Sequence, residues 1–225
     1  MSEDIVRKRN LPHIDVPGKP YFITACLEGS ISAVGLKKIR NFRQHLAAQK
    51  RPEHLTDPQW KRTREKLVFK LVDELLDHQS PSKHLARPEL AKEITDAFLH
   101  FAGERYQLLA FVVMPSHHHW LFLPNDDWWS KNGADGRTPR ESISHSIQSF
   151  TANKCNRLMR VSGTFWQDET WDHYARDEDE MYRIINYIEN NPVAARLARE
   201  PSDFHWSSAY LRKELGIEMG KAIQA

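Results

Sequence analysis

The chain has 225 residues, of which 40% are hydrophobic and 28% charged, and its formal net charge is +2. That length suits one domain with elaborations, or at most two small ones, and no apolar run approaches the roughly 18 residues that a membrane span requires. The two cysteines, Cys26 and Cys155, lie far apart and without ligand spacing, so neither a disulfide framework nor a cysteine zinc site is indicated. With a polar start that lacks signal-peptide character, they set the expected location in a reducing cytoplasm.

The small net charge conceals a polarity along the chain. Residues 1–70 carry 15 Lys/Arg against 7 Asp/Glu, while residues 71–225 carry 17 against 23. The basic clusters Arg7-Lys8-Arg9 and Lys37, Lys38, Arg40 and Arg43 fit a polyanion docking on one side, although solvated helix faces give the same count.

Lys19 to Leu27 carries β-formers and ends at Glu28-Gly29-Ser30, so it reads as the first strand. Gly35 to Lys50 reads as a basic helix. A stronger helix is predicted from Asp57 to about His78, with Trp60, Arg64, Leu67, Val68, Leu71, Val72, Leu75 and Leu76 at helical spacing. Asp57 is its expected cap, with Pro58 in the first helical position. After the break at Ser80-Pro81-Ser82, Arg87-Pro88-Glu89 opens another helix, which carries Leu90, Ile94, Ala97, Phe98 and Phe101 on one face and ends by Gly103.

Leu108 to Val113 is an apolar run that reads as a buried strand. Met114-Pro115-Ser116 interrupts it, and His117-His118-His119-Trp120-Leu121-Phe122-Leu123 begins the next. Side chains alternate along a strand, so His117 and His119 share one face, about 7 Å apart at Cα, and His118 points the other way. Two imidazoles side by side make a metal half-site or an acid/base pair, and the plainer alternative is a polar strand end with satisfied histidines.

Pro124 to Asp127 and Asn132 to Gly136 mark a long loop. Thr138-Pro139-Arg140-Glu141 is a capping box that starts a helix running to about Arg160, predicted to bury Ile143, Ile147, Phe150 and Leu158, with Ser162-Gly163 as its stop. Phe165-Trp166-Gln167 and Trp171 to Arg176 read as an aromatic strand region. Asp177, with Glu180 as its partner, caps a last long helix whose buried stripe is Met181, Ile184, Ile185 and Ile188. At about 100° per residue, Tyr187 lies about 110° and Asn191 about 70° from the centre of that stripe, so a phenol and a carboxamide stack on one flank. Pro192 is the expected helix stop. The order of elements predicts an α+β fold in a single domain, with helices on one face of a largely antiparallel sheet.

Taken together, Met114-Pro115-Ser116-His117-His118-His119, Phe165-Trp166-Gln167, Trp171-Asp172-His173-Tyr174-Ala175-Arg176-Asp177, Tyr187-Ile188-Glu189-Asn190-Asn191-Pro192-Val193 and Trp206-Ser207-Ser208 resemble the REP-associated tyrosine transposases. These are single-tyrosine members of the HUH endonuclease superfamily. The resemblance covers about residues 11–210. It implies a ferredoxin-like core, an elaboration at about 57–79 and flexible termini.

The resemblance also implies roles for matching positions. His117 and His119 would be imidazole ligands of one divalent ion, Mg²⁺ or Mn²⁺, with Asn191 as a third, amide ligand. Tyr187 would be the nucleophile that cleaves and rejoins single-stranded DNA beside a REP-like hairpin, through a covalent 5′-phosphotyrosine. Relatives place a bulky apolar residue where this chain has His118, and strand parity assigns it to packing or DNA contact. Trp120, Trp166 and Trp171 are candidates to stack bases, or simply core tryptophans. Lys154, Arg157, Arg160 and Arg176 are candidates to hold phosphates, beside Lys37, Lys38, Arg40 and Arg43. The implied enzyme is a cytoplasmic, nucleoid-associated strand transferase, monomeric by resemblance, with a homodimer as the other arrangement. A hairpin-binding protein that keeps the fold without cleaving, and a histidine-metal hydrolase of small molecules, are the alternatives.

Overall fold

A computed structural model describes residues 5–8, 12–132, 136–168 and 170–224, with the side chains of 5–8, 12–14, 129, 131 and 132 left aside. The Arg7-Lys8-Arg9 cluster and the extreme termini therefore lie outside the described side chains. A two-stranded ribbon, β1 (Ile5–Lys8) and β2 (Pro12–Asp15), precedes the main sheet. That sheet joins β3 (Tyr21–Cys26), β4 (Tyr106–Val113), β5 (His117–Pro124) and β6 (Trp171–Tyr174), each antiparallel to its neighbours, in the order β4-β5-β3-β6. Counted from β3, the strands run fourth, first, third, second across the sheet. With helices in the first and last crossovers, this is the ferredoxin-like arrangement.

Seven α-helices complete the described fold: α1 (Ala33–Ala48), α2 (Asp57–Gln79), α3 (Pro88–His100), α4 (Asp126–Asn132), α5 (Pro139–Met159), α6 (Glu178–Ala194) and α7 (Ser208–Leu215). They cover both faces of the sheet, not one. All six residues of β3 are buried, the mark of a strand packed on two sides. Tyr21, Ile23 and Ala25 meet Leu90, Ile94 and Phe98 of α3 and Ile143 and Ile147 of α5. Phe22, on the opposite face, joins Val112, Leu121 and Ile185 and Ile188 of α6. Cys26 extends that second face into a cluster with Ile39 and Leu46 of α1 and Val68, Val72, Leu75 and Leu76 of α2. The α1–α2 pair is thereby seated beside α6.

Local chemistry moved several boundaries. Thr56, not Asp57, caps α2, in a reciprocal box with Gln59, because its hydroxyl stands three residues before a free N–H. The stretch after β5 is not loop throughout, since Asp126–Asn132 forms a helix. Phe150 and Leu158 of α5 are 53% and 42% exposed, outside the arc that faces the sheet. Arg160, in the left-handed conformation with φ 57°, terminates that helix before Ser162-Gly163.

Pro192 does not stop α6, which continues through it to Ala194; Arg196, at φ 61°, marks the turn that follows. Beyond residue 210 the chain remains part of the core. Ile223 is fully buried and its N–H donates to the Leu108 carbonyl, which helps close the outer edge of β4.

Candidate active site

The parity expected of the three histidines holds. β5 sits at the centre of the sheet, pairing His119 with Thr24 and Val112 and His117 with Cys26, so both imidazoles rise on the α6 face. Their Nε2 atoms stand 3.1 Å apart, and both side chains are completely buried. His118 enters the opposite core, edge-on to Phe98 and Trp166, where neither ring nitrogen has a hydrogen-bond partner. Burial, and then the charge of His119, push its pKa down to about 3, so it stays neutral. Its role is packing.

The outer nitrogens of the pair are fixed by hydroxyls. Ser116 Oγ donates to the Leu76 carbonyl at 3.0 Å and lies 3.0 Å from His117 Nδ1. With its one proton given to Leu76, that hydroxyl accepts from Nδ1–H, which leaves a lone pair on His117 Nε2. Thr24 Oγ1 stands 2.7 Å from His119 Nδ1 and can accept in the same sense. Burial, with the charge of His119 next, holds His117 well below the ordinary histidine range. This orientation of imidazoles by second partners is what ligand histidines show.

Asp73, which the sequence did not single out, completes the cluster from α2. One ligand atom each from Asp73, His117 and His119 lie within 4.8 Å of one another. Asp73 Oδ1 is 3.2 Å from His119 Nε2 and 3.9 Å from His117 Nε2, and Asp77 Oδ1, one turn on, is also 3.9 Å from His117 Nε2. Burial by itself would raise Asp73; hydrogen bonding and charge from His119, with His117, outweigh it and hold the carboxyl down to about 2. Burial, and then the Asp73 charge, lift Asp77 to about 7.

Asn191 is 2% exposed, and its Nδ2 lies 3.5 Å from Asp73 Oδ2. The expected amide is thus at the site, held against a carboxylate. Asp77 Oδ1 and Asn191 Oδ1 are buried without a hydrogen-bond partner, and Asp73 Oδ1 faces the two imidazole Nε2 atoms. Unsatisfied buried oxygens gathered beside a carboxylate and two imidazoles are costly on their own and suit a hard cation, so the residues fit a divalent metal.

Tyr187 meets this centre. Its hydroxyl lies 3.4 Å from His119 Nε2, and its ring packs edge-on against Phe22, Phe69 and His119. Burial, followed by the Asp73 charge, drives the phenol far above the ordinary tyrosine range, so the resting group is protonated. Because α6 continues through Pro192, Asn191 keeps its helical place one turn beyond Tyr187.

The proposed DNA contacts separate into two sets. Arg176 is near the site, bound in two hydrogen bonds to Glu180, and Arg43 lies over the Trp171 ring at 5.6 Å. Lys37, Lys38 and Arg40 are exposed on α1. Lys154, Arg157 and Arg160 belong to α5 and its end, across the sheet from the histidine pair; Lys154 Nζ is 4.0 Å from Glu93. Trp166 is 6% exposed with its indole N–H donated to Thr151 Oγ1, and Trp120 is 1% exposed and stacked on Phe98 and Phe122. Both are core residues with no face for a base, because the layer between the sheet and the helices α3 and α5 encloses them. Trp171, on β6, is half-buried on the site's face.

No protein-family model matches the chain. It is 30% identical over 106 residues to a Haemophilus influenzae protein named as a REP-associated tyrosine transposase, a match spanning 46% of this chain and 58% of that protein. The chain thus spans little more than half the length of this curated relative. Among solved structures, it matches that of a REP-associated tyrosine transposase bound to a REP hairpin, with a TM-score of 0.52 and 15% identity, over 100% of this chain and 93% of the other. The fold is therefore that of these transposases, and both comparisons agree with the resemblance carried by the sequence motifs.

Proposed function

We propose that this chain is a metal-dependent DNA strand transferase of the REP-associated tyrosine type, which cleaves and rejoins single-stranded DNA beside hairpins. The observation that carries the reading is the meeting of Tyr187, 3.4 Å from His119 Nε2, with the paired imidazoles and Asp73. A phenol from a late helix has no packing need to end at two histidine nitrogens and a carboxylate.

His117 Nε2, His119 Nε2 and Asp73 would hold the ion, Mg²⁺ or Mn²⁺, with Asn191 Oδ1 beside them. When bound, it would neutralise charge on a scissile phosphate and favour the ionised phenol. The set differs from the purely neutral one implied by the resemblance: a carboxylate strengthens the grip on a hard cation and lowers its acidity.

Tyr187 Oη would attack phosphorus while its proton passes to solvent water. The P–O3′ bond breaks, its electron pair leaves on the 3′ oxygen, and that oxygen takes up a proton as a 3′-hydroxyl. The covalent 5′-phosphotyrosine keeps the phosphodiester's bond energy, so a second 3′-hydroxyl can reverse the step and join strands without ATP. Thr24 and Ser116 keep the imidazoles aimed throughout.

The test is covalent capture. With Mg²⁺ or Mn²⁺ and hairpin-bearing single-stranded DNA, the parent protein should give a denaturant-resistant adduct, lost in Tyr187→Phe and on chelation. An adduct that survives Tyr187→Phe assigns the nucleophile elsewhere. A parent that binds hairpins tightly but never forms an adduct is a binding protein.

A further inference from the structure

Next to Tyr187 a cleft opens between α2 and α6, with a volume of about 400 Å³, inside the roughly 300–1,000 Å³ range of small-ligand pockets. Its walls are aromatic. Phe22 and Phe69 meet edge to face with centroids 5.9 Å apart, Phe69 meets Trp171 at 5.7 Å, and Tyr187 closes the inner end. Its mouth is cationic, with Arg62 and Lys66 from α2 and Arg183 from α6. Of the acids lining it, Glu180 is bound to Arg176 and His173, and Asp172 to Arg140, which leaves Glu65 as the opposing charge on the α2 rim.

The order of groups along α2 gives the cleft its direction. Arg62, Lys66, Phe69, Asp73 and Asp77 follow one another at steps of four, three, four and four residues, which is one face of a helix. That face passes from phosphate-binding cations, through an aromatic ring, to the carboxylates at the histidine pair. A nucleic-acid strand presents the same sequence of needs: a phosphate at the rim, a base between, and the reacting phosphate at the metal centre. The cleft is continuous with the candidate active site through Tyr187, so a group seated in it adjoins the phosphorus under attack.

We propose that this cleft receives one unstacked nucleobase of the DNA strand, adjoining the scissile phosphate, with Phe69 and Trp171 as its aromatic walls and Arg62, Lys66 and Arg183 holding the flanking backbone. The assignment rests on the strand-transfer reading above and names the subsite that would position the strand. It gives α2 a function beyond packing: the helix is one side of the strand's path. A single-stranded substrate suits the cleft, because its bases enter an aromatic slot without the cost of a few kcal/mol that unpairing and unstacking a duplex base would add.

The experiment uses full-length Tyr187→Phe with Mg²⁺ and two fluorescein-labelled 12-nucleotide strands. One has mixed sequence; the other is the same backbone with every base replaced by an abasic tetrahydrofuran residue. The base-bearing strand should bind about tenfold tighter or more, the size expected of stacking one base on aromatic rings. Phe69→Leu in that background should remove most of the difference while leaving the abasic strand's affinity unchanged. Arg62→Gln with Lys66→Gln should weaken both strands alike and flatten the salt dependence.

Equal binding of the two strands overturns the proposal, as does an equal loss for both in Phe69→Leu; the strand comparison decides alone if the leucine variant does not fold. Covalent capture by the parent is scored separately. Capture without base discrimination removes the base site and keeps the enzyme, whereas discrimination without capture removes the strand-transfer reading.

Discussion

Asp73 is the residue on which the chemistry of the site turns, because it adds a carboxylate to two imidazoles and also faces the phenol. Replacing it with asparagine should weaken Mn²⁺ binding, read by calorimetry, by at least about tenfold, since even the loss of a partner behind a ligand costs that much. A larger loss in Asn191→Ala than in Asp73→Asn would return the third ligand to the amide. His118 makes a contrasting prediction. Its two buried nitrogens lack partners, so they bear a desolvation cost with nothing to offset it. His118→Leu should leave metal binding unchanged and raise stability, by up to about 1 kcal/mol, in urea unfolding. Weaker Mn²⁺ binding in that variant would mean that His118 helps set the site.

At the scale of elements, α6 is placed by polar anchors at its start and middle. Asp177 caps it, accepting from the Glu180 N–H at 2.7 Å, while the Glu180 side chain reaches past the cap to the Arg176 N–H and guanidinium and to His173. Further along, Glu189 is buried and accepts from Ser208 and Arg212, which ties α6 to α7. Burial would raise Glu180, but the hydrogen bonds from Arg176 and His173 outweigh it and bring the carboxyl down to about 2 from 4.5. A depressed folded-state value means that this anchor's contribution is full above the unfolded carboxyl's pKa. It drains as the pH falls from about 4.5 toward about 2. Glu180→Gln should therefore lower the melting temperature at neutral pH and flatten the acid limb of stability across that window. An unchanged acid limb would show that other carboxylates govern it.

For the molecule as a whole, one buried guanidinium joins parts distant in sequence. Arg140, at the start of α5, bonds Asp15 of β2 at 2.7 and 2.9 Å and meets Asp172 of β6 at 2.5 Å. It is 4% exposed, so its removal leaves two buried acids without their cation. Arg140→Met should cost about 3–5 kcal/mol in urea unfolding, the usual effect of breaking a buried ion pair from one side. A cost below about 1 kcal/mol would mean that water reaches the two carboxylates. The same scale explains why helices occupy both faces. A sheet with β3 and β5 buried across nearly all their length has no face left for solvent, and α6 must cover the one that carries the histidines.

The sequence by itself determined what depends on near neighbours. The alternation that sends His117 and His119 one way and His118 the other is local, and so is the one-turn stacking of Tyr187 on Asn191. The capping box at Thr138 is local too. Tertiary structure decided what depends on approach across the chain. Asp73 lay in plain view on an amphipathic helix, but a carboxylate beside an apolar stripe reads as solvated until the opposite wall is known. The fates of Trp120 and Trp166, buried, and Trp171, facing the cleft, were likewise open, since an indole's surroundings come from other strands. Spacing along the chain fixes which side chains share a face, whereas only the packing of one face against another fixes which of them can bind, ionise or react together.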